Sequence, residues 1–439
     1  MTILTRISEY SSIYRANIRR WHAIVLIVVL FFLATTAHIS RPFSTFGTPI
    51  GSVHTTPINW QDVRTYNEEQ CKLLFPRLFR QADLARDWYL ENGGISRDAV
   101  DAAEKDGNAR VIIHDNKLYV KKFAGGWHSR TQAVLAALHD TILTSPEPLP
   151  NVDMVMQTGD MSDGDLPLFA LSRREGNDKL WLMPDFGLYS WPEALGPKAS
   201  SWFEVRQDTL EHEHRLAAKQ TSHEDEAQSE DVIIGAGSSH TEPQSWSNKI
   251  PKLLWRGVPM TEIRKDLLAA TKDQPWADVS EIHWNDMQNT PFLSPAEHCD
   301  YKYLAQVEGN SYSGRLKNLL QCRSVIVTHP LTWVQHFHHL FDTNITSPAR
   351  NMVEVPLSLE RHLAKAIEHL QDHDEVARRI ASNSWQLFQR YLSPAANDCY
   401  YRYALRAYAS VQTFQPTINE TAVAYESFLL KGSTRWEQG

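Results

Sequence analysis

The chain has 439 residues, 42% hydrophobic and 22% charged, an ordinary globular composition with room for two or three domains. That excludes a wholly disordered or collagen-like chain, and a lone apolar run excludes a polytopic transporter. Lys and Arg number 44 against 52 Asp and Glu, a net charge of −8, so nucleic-acid binding by blanket positive charge is excluded as well.

In chain order, residues 23–37 read AIVLIVVLFFLATTA without a charge, and residues 22–39 form an 18-residue low-charge stretch. That length is close to what crosses a bilayer. Arg15, Arg19 and Arg20 precede it and only Arg41 follows closely. The positive-inside rule then predicts a cytoplasmic tail (1–21), a signal anchor (22–39) and a luminal remainder, the topology of a single-pass type II membrane protein of the Golgi or endoplasmic reticulum. A cleavable signal peptide with Ala37 as the last removed residue is the alternative. Residues 40–70, holding Pro, Ser, Thr and Gly, read as a stem.

An N-terminal domain is expected over 71–206. Leucines and Trp88 recurring at three and four predict helix over 71–94, stopped by Asn92-Gly93-Gly94. Residues 111–121 (VIIHDNKLYVK) predict a hairpin turning at Asp115-Asn116. Helix is predicted over 131–141, and strands over 152–157, 166–171 and 180–183. Residues 207–247 are rich in Glu, Asp, His, Gln and Ser and predict an acidic disordered insertion. From 248 to 395, strands (252–255, 303–307, 324–328, 353–356) alternate with helices (262–271, 315–321, 359–371, 376–391). This alternation predicts βαβ units and a parallel sheet. Helices over 396–439 are expected to pack back on the first domain. The fold class is α/β, with two Rossmann-like domains facing a cleft and ligands at the carboxyl ends of the strands.

Four cysteines, an even number in an oxidising compartment, suggest two disulfides, and no C-x-x-C spacing favours zinc. Asn344-Ile-Thr346 and Asn419-Glu-Thr421 are candidate N-glycosylation sites.

The densest chemistry lies in 301–324, YKYLAQVEGNSYSGRLKNLLQCRS. A strand is followed by the loop Gly309-Asn310-Ser311-Tyr312-Ser313-Gly314 and a helix opening at Arg315. A helix N-terminus suits phosphate, glycines allow close approach, and Arg315 can fork onto a diphosphate. The Gly309–Gly314 spacing is that of a P-loop, but Arg315 and Leu316 stand where that motif needs Lys and a hydroxyl. Leu254-Trp255-Arg256-Gly257 is a second strand end, and Arg264 follows on the next helix. Arg256 reads as a phosphate ligand or a structural ion pair. Asp160 ends the 152–157 strand and faces the cleft as a candidate base, with Asp163 and Asp165 as competitors. Gly125 to Arg130 form a candidate substrate loop. His336, His338 and His339 cluster without a carboxylate to complete a metal site.

Together these segments resemble glycosyltransferase family 90, which includes fungal capsule-associated xylosyltransferase-like proteins and animal protein O-glucosyltransferases of the Rumi type. The resemblance runs from about 149 to 403 and is carried by Asp160 after a strand, Pro167-Leu168-Phe169, Trp255-Arg256-Gly257, His298-Cys299-Asp300-Tyr301-Lys302-Tyr303-Leu304 and the Arg315 loop. It implies a GT-B-like fold and inverting transfer of glucose or xylose from UDP-glucose or UDP-xylose to a glycan or glycoprotein, with no cofactor and no essential metal. It implies Asp160 as catalytic base. It implies Arg256, Val258, Arg264, Asn310, Ser311, Tyr312, Ser313, Gly314 and Arg315 as nucleotide-sugar contacts. It also implies a Cys299–Cys322 disulfide, which leaves Cys71 with Cys399. Two other classes stay open: a catalytically inactive luminal sugar-binding or scaffold protein with the same fold, and a glycoside hydrolase, which needs two carboxylates flanking a bond where one is defined here.

Overall fold

The computed structural model describes residues 59–124, 128–192, 201–218, 245–283 and 290–431. The expected tail, the anchor (22–39) and residues 40–58 of the stem lie outside these residues. Among the described residues no helix is long and apolar enough to cross a membrane.

The first lobe is built on β1 (Ala109–His114), β2 (Lys117–Phe123), β3 (Val152–Gln157), β4 (Leu168–Ala170), β5 (Arg173–Arg174) and β6 (Trp181–Leu182). Asp115 and Asn116 close the β1–β2 hairpin with φ of 48° and 59°. These are left-handed conformations that Asp and Asn tolerate and that a two-residue hairpin turn demands. The sheet order is β13-β2-β1-β3-β4-β6, where β13 is Val423–Ala424. The pairings of β13 with β2, β2 with β1 and β1 with β3 are antiparallel; β3 with β4 and β4 with β6 are parallel. The expected Rossmann-like half is therefore a mixed sheet. A two-residue turn can join only antiparallel strands, since a parallel pair needs a long crossover.

The second lobe carries β7 (Ile250–Gly257), β8 (Ala277–Glu281), β9 (Tyr301–Gln306), β10 (Val325–Thr328) and β12 (Val353–Glu354), all parallel, in the order β12-β10-β9-β7-β8. β11 (Trp333–Val334) instead pairs with β5 of the first lobe. Sequence reading missed β8. It is an edge strand whose residues are all half-buried, so no apolar alternation marks it.

The disordered insertion expected at 207–247 does not begin at 207. A helix, Trp202–Ala218, occupies its first part and buries Trp202, Val205, Arg206, Thr209, Glu213 and Leu216 on one face. Half of that face is polar, which hides it from a hydropathy reading. It is stabilised by distant partners: Glu213 takes Lys249 Nζ at 2.6 Å, Ser245 Oγ at 2.6 Å and the Arg323 amide at 2.8 Å. Residues 219–244 lie outside the described residues.

Helix Pro394–Val411 packs on the first lobe, where Asp398 takes Arg64 and Thr141, and Tyr400 OH donates to the Leu182 carbonyl. Disulfides Cys71–Cys399 and Cys299–Cys322 are both formed.

Candidate functional site

In the second sheet the chain leaves β7 for β8 on one side and returns to β9 on the other. The order reverses between β7 and β9, which makes their carboxyl ends a topological switch point, the place where open parallel sheets bind ligands. The residues emerging there are Arg256 to Val258 from β7 and the 309–315 loop from β9. They form one wall of a cavity of about 550 Å³. The facing wall comes from the first lobe, with Asp160 after β3, Arg130 at the start of helix His128–Leu143, and Phe186 and Trp191.

Two guanidiniums dominate the second-lobe wall. Arg264 is buried, and Nε and Nη1 donate only to the carbonyls of Glu308 and Val258, each at 3.0 Å. Burial pulls its pKa down to about 10. Arg315 is half-exposed, yet its Nη1 is sealed from solvent without a hydrogen-bond partner. Burial, then the like charge of Arg264, lower its pKa to about 9. Both sit against Trp255, at 5.8 and 5.3 Å from the ring centroid. Gly257 permits this approach, because a Cβ there would lie 2.8 Å from Arg315 Nη2. Among the described residues neither arginine has a carboxylate partner. Two adjacent cations without such a partner suit an anion with two or more charges.

Asp160 is the one carboxylate among the described residues that line the cavity. Its Oδ1 accepts Arg130 Nη1 at 2.6 Å, and its side chain stays 44% exposed. Thr131 and Thr158, 2.7 Å apart through their hydroxyls, hold the helix start against this loop. The competing Asp163 and Asp165 pair instead with Arg174 and Lys179 and do not line the cavity. Glu308, next to the arginine loop, is buried and engaged with the amides of Thr332 and Trp333.

The arrangement is thus a carboxylate on one wall facing an anion site on the other, in a cleft of small-molecule size. The sequence profile of glycosyl transferase family 90 matches residues 67–225 and 226–435. The chain belongs to glycosyl transferase family 90. Membership agrees with the enzyme class expected from the sequence. An O-glucosyltransferase rumi homolog of Aedes aegypti is 23% identical over 342 residues, 74% of this chain and 76% of that protein. A rumi homolog of Anopheles gambiae is 28% identical over 177 residues, 38% of this chain and 43% of that one. Protein O-glucosyltransferase 2 of Danio rerio is 27% identical over 190 residues, 41% and 37% of the two chains. The matches thus span less than half of the Anopheles and Danio proteins.

Of the residues expected in this family 90 site, Val258, Arg264, Asn310, Tyr312, Ser313, Gly314 and Arg315 line the cavity together. Arg256 borders it too, but its guanidinium is committed elsewhere: Nη2 pairs with Asp278 at 2.6 Å and Nε donates to the Pro291 carbonyl. It ties β7 to the edge strand β8. Ser311 is buried and donates to the Asp160 carbonyl. The helix expected over 315–321 is a single turn, Leu316–Leu319. It is too short for a macrodipole, so the attraction for an anion rests on the arginines. Of the candidate loop 125–130, residues 125–127 lie outside the described residues, and Arg130 is the member that reaches the cavity.

His298 figures in the sequence only as part of the 298–304 motif, not as a site residue, and Asp185 and Lys317 are not singled out there. His298 lines the cavity with an unpartnered Nε2, and burial pushes its pKa down to about 4. Pro184-Asp185-Phe186-Gly187 reads only as a turn, and no short motif links it to Lys317. His336, His338 and His339 do not converge. His336 packs on Tyr400, His338 meets Gln335 Oε1 at 3.2 Å, and His339 meets the Arg77 carbonyl at 2.6 Å. The sequon residues Asn344 and Asn419 are exposed.

Proposed function

We propose that this chain is an inverting glycosyltransferase that moves glucose or xylose from a UDP-sugar to a hydroxyl of a glycan or glycoprotein in the secretory pathway. The observation that carries the reading is the pair of Arg264, buried, and Arg315, partly buried, neither with a carboxylate partner among the described residues, opposite Asp160, the one carboxylate among the described residues that line the cavity. The diphosphate supplies the missing counter-charge. The acceptor hydroxyl enters from the first-lobe side and Asp160 takes its proton as the oxygen attacks the anomeric carbon. The bond to UDP breaks on the opposite face, and the two guanidiniums stabilise the departing diphosphate. A single displacement with base and leaving group on opposite walls inverts the anomeric centre. The guanidiniums supply positive charge where other transferases use a metal, so the proposal includes no essential metal.

The names of the relatives favour glucose and a protein acceptor. Two disulfides suit an oxidising compartment, consistent with a luminal catalytic part, and residues 22–39 would supply a type II anchor. The test is UDP binding and release by the full-length chain with UDP-glucose, UDP-xylose and UDP-galactose in turn, EDTA present. Release from one donor in EDTA is expected. A folded protein that binds none of them would replace this reading with the inactive sugar-binding or scaffold alternative.

A further inference from the structure

The 309–315 loop belongs to the second lobe by sequence, yet three contacts fasten its neighbourhood to the first. Tyr312 OH donates to Asp185 Oδ2. Lys317 Nζ lies 2.7 Å from Asp185 Oδ1 and also donates to the Gly314 carbonyl at 2.6 Å. Ser311 Oγ donates to the carbonyl of Asp160. Asp185 is buried and caps the turn Phe186–Leu188 through the Gly187 amide at 2.8 Å. Gly187 leaves the passage for the lysine, since a Cβ there would sit 2.6 Å from Lys317 Nζ. The ammonium also lies 4.9 Å from the Trp191 ring centroid, a first-lobe residue on the cavity wall.

Neither lobe needs these bonds for its own sheet. They join the loop that ends in Arg315 to the lobe that carries Asp160. We propose that Asp185 is a positioning residue: through Tyr312 and Lys317 it clasps the 309–315 loop to the first lobe and sets the register between base and leaving-group site. The inference rests on the transferase reading above. In a displacement, base and leaving group must line up through one carbon, and misplacement by about 1 Å costs on the order of 100-fold. Arg264 and Arg315 both lie on the second lobe, so UDP affinity depends on the clasp far less than turnover does, which needs the two lobes in register.

The test compares full-length wild type with Tyr312→Phe, which removes one hydroxyl and keeps the ring, and with Asp185→Asn. Three readouts are taken: donor turnover, UDP affinity, and amide hydrogen exchange in the segments 309–315 and 186–188. Tyr312→Phe and Asp185→Asn are each expected to lower turnover about 10-fold or more and to speed exchange in both segments, and Asp185→Asn, at a residue outside the cavity lining, is expected to leave the UDP dissociation constant within about two-fold. The double variant is expected to lose less than the product of the single losses, because both changes break one clasp. Unchanged turnover and exchange in Tyr312→Phe would overturn the proposal. So would UDP affinity falling in step with turnover in Asp185→Asn, which would make the clasp part of the donor site. Should wild type turn over no donor, the transferase reading fails on its own, and the exchange readout decides the clasp: faster exchange in both segments supports it, and unchanged exchange overturns it.

Discussion

Arg110 in the first lobe and Arg315 in the second both carry a guanidinium into the interior, in opposite company. Arg110 is 1% exposed and meets Asp153 at 2.8 Å, Asp101 at 2.6 Å and Glu104 at 2.5 Å. Burial alone would lower its pKa, but these carboxylates raise it well above the usual arginine value. Arg315 has Arg264 for a neighbour and no carboxylate among the described residues, and its pKa falls to about 9. Burial therefore does not separate a structural arginine from a binding one. Counter-charge does. Two adjacent cations with no carboxylate partner among the described residues are what the proposed diphosphate site requires.

The largest effect expected concerns Asp160, the one carboxylate among the described residues that line the cavity. Asp160→Asn should lower transfer by about 100- to 10,000-fold, as loss of a general base does, while UDP affinity stays the same. Steady-state kinetics beside UDP titration check this, and wild-type turnover would remove Asp160 from the reaction.

The second prediction attacks the comparison itself. Arg110→Ala should destabilise the protein by about 3–5 kcal/mol, because Asp153 is left buried and unpaired. Arg315→Ala should leave the stability of the empty protein unchanged or raised, while weakening UDP binding about 10- to 100-fold, the loss of charged hydrogen bonds. Urea unfolding of both variants decides it, and an equal loss of stability would erase the distinction between the two arginines.

A smaller effect follows from the depressed arginines. With Arg315 near 9 and Arg264 near 10, the site carries both charges at neutral pH. Arg315 has the lower pKa of the two, so UDP affinity should fall as pH rises from about 8 to about 10. Calorimetric titration across that range tests it, and a flat profile would place both pKa values at the ordinary arginine level.

The smallest effect separates burial from function in the histidines. His298, which lines the cavity, and His339 are both pushed down to about 4, and His338 to about 3, in each case chiefly by burial; His336 is also held well below the usual range. The unfolded chain takes up these protons near pH 6.5 and the folded chain does not, so stability should fall as pH drops from about 6.5 towards about 4 and be flat above that window. His336→Phe should make that slope shallower and leave UDP affinity alone. Thermal melts across the range would show it, and an unchanged slope would locate the acid sensitivity in other groups.

Elements with strong local signals were legible in the sequence. The Asp115-Asn116 hairpin needs only two residues that tolerate positive φ, and the alternation after residue 248 shows in apolar runs a few residues long. Asp160 and Arg315 were legible as candidates because each stands where a strand has just ended. Helix Trp202–Ala218 was not, because half its buried face is polar and becomes favourable only beside Lys249, Ser245 and Arg323. The clasp was not legible either: Tyr312 and Asp185 are 127 residues apart, and each alone reads as part of a turn.

By itself the sequence determined the α/β class, the parallel character of the second sheet and the short set of residues from which a site could be drawn. These depend on propensity, turn chemistry and apolar spacing, which act over a few neighbouring residues. Only the tertiary structure decided which arginines meet a carboxylate among the described residues and which do not. Arg110 finds Asp153 43 residues away, Arg256 finds Asp278 22 residues away, and Arg264 and Arg315 sit against Trp255 with no carboxylate partner among the described residues. Electrostatic pairing is a matter of distance in space, and the fold sets that distance.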